Sequence, residues 1–407
     1  MVKVVQIVPT IGMESSGPSY SVPALCRSLQ SVGCEASLHF CGNVPICSFG
    51  YPITCYAMSF LPHRRLGRSP DMEKGLITAC KNVDIVHNNS FWMYPNVYGY
   101  RAIQKLKEYR KNGKSVKVPK LVNAPRGTLA PWALAHHRLP KKLFGFLAGQ
   151  YAAMRATDMW HATCEKEYQE IRALGFRQPV AIIPIGIDIP EILDGNLELG
   201  MAGKKKMVFF GRLHPVKAVD RLLEAWYSLT SSYPQLVQDW EFLIAGPDGG
   251  LRSKLEAMVS TQRIPRVAFI GELNGPAKYQ FLAKADLCVL PSFTENFGIT
   301  VAEALACGTP VIVSTGTPWR AVIENRCGWW VENTVSALAT ALLEGFELAE
   351  PYGEMRESLS LRQMGENGRH WMERDFSWGS VGRKMKSAYE WLLAPEVVAR
   401  PDWVVVD

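Results

Sequence analysis

The chain has 407 residues, of which 47 % are apolar, 20 % charged and 10 % aromatic, with a net charge of +7. This composition excludes disordered, collagen-like and coiled-coil proteins and predicts a globular protein of two domains. The longest nearly uncharged apolar stretch, residues 143–154, is shorter than the roughly 20 residues that cross a bilayer, so we expect no transmembrane helix. The first residues lack a signal-peptide pattern, and we expect a cytoplasmic protein.

Strand-like apolar runs alternate with longer helical patterns along the chain. In the first half we predict strands at residues 3–8, 36–40, 84–87, 120–123, 159–162 and 180–188. A polar stretch with Gly195, Gly200 and Gly203 follows. A second series is predicted at residues 206–211, 241–246, 267–271, 286–290 and 309–314. Such alternation is typical of parallel sheets covered by helices.

The pattern predicts an α/β protein with two facing, doubly wound Rossmann-like domains. The first spans residues 1–190 and the second residues 204–370. The helical segment 371–407 is too rich in Trp, Tyr and Phe to stand alone, so we expect it to pack back on the first domain. Because ligands bind beyond the carboxyl ends of the strands in such sheets, the loops after the strands are the expected functional sites.

The ten cysteines include no Cys-x-x-Cys pair, and no His residues stand at zinc-finger spacing. Five of them crowd one stretch at irregular spacing, namely Cys26, Cys34, Cys41, Cys47 and Cys55. This distribution favours reduced core thiols over disulfides or a metal site.

Positive charge is concentrated between residues 101 and 142. This segment has twelve Lys and Arg against a single acid, Glu108, so it carries +11 and the rest of the chain −4. This concentration of positive charge favours an anionic partner. It is equally compatible with a solvated helix face followed by a basic loop. Residues 138–147 combine cations with apolar side chains, which suits an anionic membrane face. The alternative is an ordinary helix with Leu143, Phe144 and Phe146 in the core.

The strongest local signal is the segment 291–310, PSFTENFGITVAEALACGTP. A polar loop with Glu295 follows a predicted strand, and a helix beginning near Gly298 carries Glu303 among apolar residues. The N–H groups at a helix N-terminus can receive an anion, and an ionised Glu can accept two hydrogen bonds from a vicinal diol. The spacing therefore suits a sugar, a phosphate and a ribose. The alternative interpretation is that Glu295 is an ordinary loop residue and Glu303 an ordinary helix residue, each paired with an Arg.

With its flanking Phe-Gly and Cys-Gly-Thr-Pro, this segment resembles the Glu-x7-Glu motif of the retaining glycosyltransferases of family 4, which have the GT-B fold. The segment 211–217, GRLHPVK, is similar to the family's Gly-Arg-Leu…Lys-Gly loop, with Ala218 where Gly is usual. The segment 246–250, GPDGG, is similar to its Ala-Gly-x-Gly loop, and 185–188, IGID, to its hinge segment. The resemblance extends over essentially the whole chain.

The resemblance implies a role for each matching position. The catalytic residues would be Arg212 and Lys217, whose cations stabilise the leaving diphosphate, and Glu295, which contacts the donor sugar. Glu303 would bind the ribose. Further donor contacts are expected from Gly17, from Gly246 and from the backbone N–H groups of Asn296, Phe297 and Gly298.

On the acceptor side, segments 84–92 and 124–133 resemble loops of polysaccharide-assembling members of the family. Arg126-Gly127 stands where many members have His-Gly, which leaves the usual active-site His unassigned. The acceptor-side candidates are His87, Arg126 and His136, with His137 as a further possibility. Each of the three histidines also fits an ordinary core or surface residue.

The implied reaction transfers a hexose from a nucleotide-diphosphate donor to a hydroxyl of a membrane-linked saccharide, with the anomeric configuration kept. The resemblance places it in the synthesis of a bacterial surface polysaccharide such as O-antigen, lipopolysaccharide or exopolysaccharide. Two cations at the diphosphate can replace a metal ion, so we expect no metal and no further cofactor. The expected partners are a nucleotide-sugar, a lipid-linked or oligosaccharide acceptor and the inner face of the cell membrane, and not nucleic acid.

Two alternatives stay open at this point. The first is a GT-B-fold sugar-nucleotide epimerase, which needs catalytic acids and no acceptor. The second is a nucleic-acid-binding protein that uses residues 101–142, although that segment lacks a recognition motif and interleaved aromatic residues. A dinucleotide dehydrogenase is excluded, because no Gly-x-Gly-x-x-Gly follows the first strand.

Overall fold

The computed structural model describes residues 1–11, 17–43, 49–59, 66–191, 200–349 and 359–406. The chain divides into two compact units, the first made of Met1–Gly186 with Trp378–Asp407 and the second of Ile187–Ser377. The predictions that involve Cys47 and Gly195 lie outside the described residues. Among the described residues, no helix is both long and apolar enough to span a bilayer.

The described strands and helices alternate along the chain as predicted. The strands are β1 (Lys3–Ile7), β2 (Glu35–Cys41), β3 (Ile53–Tyr56), β4 (Ile85–Asn89), β5 (Lys120–Ala124), β6 (Met159–Ala162), β7 (Val180–Ile182), β8 (Lys205–Phe210), β9 (Trp240–Ala245), β10 (Val267–Gly271), β11 (Leu287–Leu290), β12 (Val311–Ser314), β13 (Gly328–Val331) and β14 (Val404–Val405). The helices are α1 (Gly17–Ser31), α2 (Pro70–Ala79), α3 (Pro95–Lys111), α4 (Pro131–Ala135), α5 (Arg138–Leu147), α6 (Gln150–Arg155), α7 (Glu165–Ala173), α8 (Val219–Ser232), α9 (Pro234–Val237), α10 (Arg252–Thr261), α11 (Pro276–Ala283), α12 (Ile299–Ala306), α13 (Val335–Leu348), α14 (Leu361–Asp375) and α15 (Trp378–Leu393).

The first unit is built on a sheet with the strand order β14-β7-β6-β5-β4-β1-β2-β3. β14 runs antiparallel to β7, and the other neighbours are parallel. Because parallel strands are joined by crossovers that cover both faces of a sheet, a central strand such as β1 is buried along nearly its whole length. α2 and α3 cover one face through a cluster that includes Val5, Val86 and Leu106.

The other face of this sheet is covered by α1 and by α15, which returns from the end of the chain. Their cluster includes Leu25, Leu38 and Tyr389. A Cβ added at Gly382 of α15 would lie 2.1 Å from Ser28 Oγ of α1, so glycine permits this close approach. The predicted return of the C-terminal helix to the first domain is confirmed.

The second unit contains a parallel sheet with the order β10-β9-β8-β11-β12-β13. Its core is aromatic, since Trp240 of β9 lies 4.3 Å from Phe346 of α13 between ring centroids. α14 belongs to this unit and begins with a capping box formed by Ser360 and Gln363. The chain therefore crosses back to the first unit at residues 377/378 rather than at 371. The predicted α/β class with two doubly wound domains is confirmed.

Three strands, β3, β13 and β14, are not among the predicted ones, and the predicted strand at 180–188 is much shorter. β7 ends at Ile182 because Pro184 and Gly186 follow it. A Cβ at Gly186 would lie 2.4 Å from the Trp378 ring, so this segment serves a close contact instead of continuing the strand. The missed strands have two to four residues each and lie at sheet edges, where the apolar signal is weakest.

The cysteines of the described residues are free thiols, as predicted. Cys26, Cys34 and Cys41 are buried, whereas Cys55 is half-buried. Burial raises the pKa of the Cys41 thiol to about 11 and that of Cys80 to about 12, which keeps both protonated and unreactive at neutral pH.

Candidate functional site

The carboxyl ends of β8, β9 and β11 meet at one edge of the second sheet, where the predicted donor residues lie. Gly246, directly after β9, has φ +135°, and a Cβ there would lie 2.1 Å from the Gly211 carbonyl oxygen after β8. The two loops are also joined by a hydrogen bond from Leu213 N to the Pro247 carbonyl, 2.9 Å long. Gly246 is thus required for the contact between the loops, whether or not it also meets a ligand.

Lys217 and Glu295 form an ion pair at this edge. Lys217 Nζ lies 2.5 Å from Glu295 Oε1, and the two side chains are 16 % and 14 % exposed. Lys217 ends a short 3₁₀ turn, and Ala218 after it has φ +50°, a left-handed conformation that glycine adopts more easily. This explains why a glycine is usual at that place in the motif that the segment resembles.

Glu303 forms a second ion pair, with Lys278 of α11. The Lys278 Nζ lies 2.6 Å from Glu303 Oε1, and the Glu303 side chain is only 8 % exposed. Burial raises the pKa of Glu303, the nearby Lys278 cation lowers it, and Asp188 raises it further. Lys278 is therefore the charge that compensates the buried carboxylate.

Sequence reasoning did not find Lys278. The alternative partners considered for both acids were arginines, whereas the structure supplies lysines. The available signal was indirect, because a carboxylate on the apolar helix α12 requires a buried cation. Nothing in the sequence says which lysine, since Lys278 and Glu303 are 25 residues apart on different helices.

The loop that precedes α12 is held by an aromatic cluster. Phe297 is 6 % exposed, and its ring centroid lies 5.2 Å from that of Trp319. The Trp319 Nε1–H donates to the Phe297 carbonyl oxygen. Gly298 then begins α12 with φ +75° and provides no side-chain cap. The first-turn N–H groups of α12 therefore depend on backbone, solvent or a ligand for acceptors.

Of the three remaining donor candidates, Asn296 is half-buried in the loop before α12, and Arg212 and Gly17 are exposed. The Arg212 side chain follows β8, and among the described residues it has no carboxylate within salt-bridge distance. Gly17 is exposed at the start of α1 in the first unit, beyond the carboxyl end of β1. The structure thus gathers Arg212, Lys217 and Glu295 on neighbouring loops of one sheet, while Gly17 belongs to a different unit.

His87 is not an accessible acceptor-side residue, because it is completely buried in β4. The Tyr389 hydroxyl lies 2.6 Å from His87 Nδ1, His87 Nε2 lies 3.3 Å from His161 Nδ1, and His161 Nε2 lies 2.9 Å from the Ile183 carbonyl. The carbonyl can only accept, so each ring carries its proton on Nε2 and donates along the chain. Burial lowers the pKa of both histidines well below 6.5, and each also faces the Arg126 cation. This is the geometry of a core histidine pair, and His161 was missed by sequence reasoning.

Arg126 and His136 differ in their surroundings. The Arg126 guanidinium donates to Asn89 Oδ1 over 3.0 and 3.2 Å, and burial lowers its pKa to about 10, so it stays charged. The residue has φ +54°, an uncommon conformation for a non-glycine residue. His136 is exposed, with its ring centroid 4.1 Å from that of the exposed His137. Of the acceptor-side candidates, His136 is exposed, Arg126 is half-buried and His87 is buried.

The cations of the basic segment are spread over several elements of the first unit. They lie mostly on α3 and α5, and four of them are paired with carboxylates, namely Arg101 with Glu73, Lys105 with Glu108, Lys117 with Asp84 and Lys120 with Asp158. The positive charge is thus divided and partly compensated. This weakens the nucleic-acid alternative, which depends on a continuous basic surface.

The second half of the chain is similar in sequence to known glycosyltransferases. Residues 199–371 match the family model described as "Glycosyl transferases group 1". A D-inositol 3-phosphate glycosyltransferase of Jonesia denitrificans is 29 % identical over 56 % of this chain and 56 % of its own length. A GDP-mannose-dependent alpha-(1-6)-phosphatidylinositol dimannoside mannosyltransferase of Mycobacterium tuberculosis is 28 % identical over 51 % of this chain and 57 % of its own length. The chain spans about half the length of the curated relatives it matches.

Solved structures show the same fold over nearly the whole chain. The structure of HepE from Anabaena in complex with UDP aligns with a TM-score of 0.70 and 17 % identity, over 96 % of this chain and 99 % of that one. At this identity the likeness concerns the fold alone. The chain therefore has the GT-B fold, and residues 199–371 of its second unit are similar to the group 1 glycosyl transferases.

Proposed function

We propose that the protein is a retaining glycosyltransferase that transfers a hexose from a nucleotide-diphosphate sugar to a hydroxyl of a membrane-linked saccharide. The observation that carries this proposal is the presence of two carboxylate–lysine pairs, Lys217–Glu295 and Lys278–Glu303, in the second unit. Both lie in the part of the chain that matches the group 1 glycosyl transferases, which supports the proposal.

In this proposal the donor diphosphate lies against Arg212 and Lys217, and the donor sugar against Glu295. Lys217 is already in contact with Glu295, so the arriving phosphate competes with that carboxylate for the ammonium group. A Glu295 oxygen released in this way can accept a sugar hydroxyl. Lys278 favours the ionised form of Glu303, which can then accept hydrogen bonds from both ribose hydroxyls.

The reaction needs no side-chain base. The bond from the sugar C1 to the diphosphate oxygen breaks, and the acceptor oxygen bonds to C1 on the same face of the sugar. The acceptor proton passes to the departing phosphate oxygen. Negative charge grows on the diphosphate in the transition state, and fixed cations at that place lower the barrier. We propose that Arg212 and Lys217 replace a divalent metal in this role, so that the reaction requires no cofactor.

The acceptor is proposed to be carried by a membrane lipid, as in the assembly of a bacterial surface polysaccharide. α5 exposes large apolar side chains, with Leu139 78 %, Leu143 61 % and Phe146 80 % exposed. Helices that combine such a face with Lys and Arg bind anionic bilayer surfaces. A relative named for a phosphatidylinositol dimannoside supports a lipid-borne acceptor. We therefore propose a peripheral protein on the cytoplasmic face of the membrane.

Donor binding is tested by thermal shift with UDP, GDP, ADP and their common sugar conjugates, each with and without EDTA. A ligand at a hundred times its Kd stabilises the folded state by about 2.7 kcal/mol. We expect a shift with one base that EDTA does not change and that Lys217→Ala abolishes. Lys254→Ala, an exposed lysine of α10, is the matched control. The absence of a shift with every nucleotide would contradict the proposed donor site.

Membrane binding is tested by sedimentation with phosphatidylglycerol vesicles and with phosphatidylcholine vesicles. The Leu139→Ser/Phe146→Ser variant removes two exposed apolar side chains, each worth roughly 1.5–3 kcal/mol when buried. We expect the variant to bind phosphatidylglycerol vesicles at least about tenfold more weakly. Met201→Ser/Val397→Ser changes two apolar side chains that are exposed elsewhere, at 55 % and 86 %, and serves as the control. Equal binding by both variants would contradict a membrane role for α5.

A further inference from the structure

A cavity of about 1040 Å³ lies within the first unit, between α4, α5, α6 and the segment that follows α7. Its size is at the upper end of the range of about 300–1,000 Å³ that is common for small-molecule sites. Its apolar wall is formed by Trp92, Leu129, Leu134, Tyr151, Met154 and Phe176. Leu129 and Met154 are each 2 % exposed, so part of this wall is continuous with the core.

The same cavity is lined by five cationic side chains. They are Arg138, Lys141, Lys142, Arg155 and Arg177. Among the described lining residues there is no Asp or Glu. Burial lowers the pKa of Lys141, whose Nζ donates to the Ala133 carbonyl oxygen. Cations of one sign beside a low-dielectric wall focus a positive potential into the cavity, which favours an anion there.

α5 connects this cavity to the exposed apolar face. Arg138, Lys141 and Lys142 are spaced i, i+3 and i+4 and share the face that lines the cavity. The exposed side chains Leu139, Leu143, Phe146 and Leu147 follow a second stripe of the same helix. The helix is held in place at Gly145, where an added Cβ would lie 2.5 Å from the Tyr151 ring.

We propose that this cavity binds one anionic lipid by its phosphate-bearing end. The phosphate lies at Arg138, Lys142 and Arg155, which are exposed, and the adjoining hydrocarbon lies on the apolar wall. A free sugar phosphate would leave that wall without a contact, and a neutral lipid would leave the cations without an anion. The site belongs to the first unit alone and does not depend on the donor-site roles proposed for the second unit.

Two sources can supply such a ligand, a glycerophospholipid of the bilayer or an isoprenoid phosphate of the kind that carries saccharides. Calorimetric titration with dihexanoyl phosphatidic acid and with geranyl phosphate, both below their micelle concentrations, distinguishes them. Dihexanoyl phosphatidylcholine, which has tails but no net charge, controls for the charge. Inorganic phosphate, which has charge but no tail, controls for the hydrocarbon. We expect at least one anionic amphiphile to bind at least about tenfold more tightly than either control.

Two variants locate the binding at the cavity. Arg138→Ala/Lys142→Ala removes two cations, and Leu174→Trp places a larger side chain at a lining residue that is 43 % exposed, where folding tolerates it. Each should weaken binding at least about tenfold, while Lys107→Ala/Lys111→Ala, on the exposed side of α3, should not. Binding of only one amphiphile identifies the source. The proposal is overturned if neither amphiphile binds, or if both cavity variants bind as the wild type does.

Discussion

Replacing Lys278 by Met removes the cation that compensates the buried carboxylate of Glu303. The methionine has a similar length and fills the same space, so the charge is the main change. In the wild type the Nζ–Oε1 distance is 2.6 Å and the Glu303 side chain is 8 % exposed. Without Lys278, burial and Asp188 both raise the pKa of Glu303 with no cation to oppose them, so we expect its carboxyl group to take up a proton in the folded variant.

The loss in the free energy of unfolding of the Lys278→Met variant depends on the pH of the measurement. In the unfolded chain the carboxyl group of Glu has a pKa near 4.5, which is about 2.5 pH units below pH 7. Over this interval the unfolded chain has lost the proton, whereas the folded variant is expected to keep it. At about 1.4 kcal/mol per unit, the free energy of unfolding falls by at most about 3.5 kcal/mol at pH 7. Since the unfolded chain also becomes protonated as the pH falls, the loss shrinks to about 2 kcal/mol at pH 6 and below about 1 kcal/mol at pH 5.

Urea unfolding followed by tryptophan fluorescence at pH 5 and pH 7 measures this loss. Lys278→Met/Glu303→Gln removes both charges and should recover most of the stability lost at pH 7. Lys254→Met, on the exposed surface of α10, controls for the loss of a lysine. A loss that is the same at both pH values, or that persists in the double variant, would refute the assignment of Lys278 as the charge partner of Glu303.

Three further outcomes are expected. Lys217→Ala should lower turnover at least about a hundredfold with donor and acceptor saturating, because it removes a cation from the leaving diphosphate. The wild type should lose stability as the pH falls below about 6.5, because His87 and His161 stay neutral in the fold and become protonated when unfolded, each contributing a slope of about 1.4 kcal/mol per pH unit. Gly382→Ala should lower the free energy of unfolding by roughly 1–3 kcal/mol, because the added methyl group overlaps α1, whereas Gly379→Ala in the same helix should not.

Each of these outcomes has a result that contradicts it. Near-normal turnover of the Lys217 variant would remove that residue from the proposed catalytic role. For the histidines, unfolding midpoints that are unchanged between pH 7.5 and pH 5.5 would mean that both rings take up protons in the folded state as readily as in the unfolded chain. In the glycine pair, equal stability of the two variants by urea unfolding would show that α15 can move away from α1 at no cost.

Local periodicity and loop chemistry were enough to predict the class of fold and most of its strands. The runs that became β9, β11 and β12 are mostly apolar because strands buried on both faces need apolar residues. Glu295 was singled out because it follows a predicted strand, and Glu303 because it stands in a mostly apolar helix. Their assignment to a donor site depended on the flanking Phe-Gly and Cys-Gly-Thr-Pro, which carry the family resemblance. Features of this kind depend on residues that are neighbours in the sequence, so they can be recognised without the tertiary structure.

The partners of those residues were decided by the tertiary structure. Tyr389 and His87 are 302 residues apart and meet only because α15 returns to the first unit. The sequence left the face of α5 open, and the fold decided it by packing Phe144 against Tyr94 while leaving Leu143 and Phe146 in solvent. Lys278 is one lysine among many until α11 is packed beside α12. The sequence determines which segments form helices and strands, but contacts between distant residues depend on how those segments are arranged, and that arrangement is set by the packing of the whole chain.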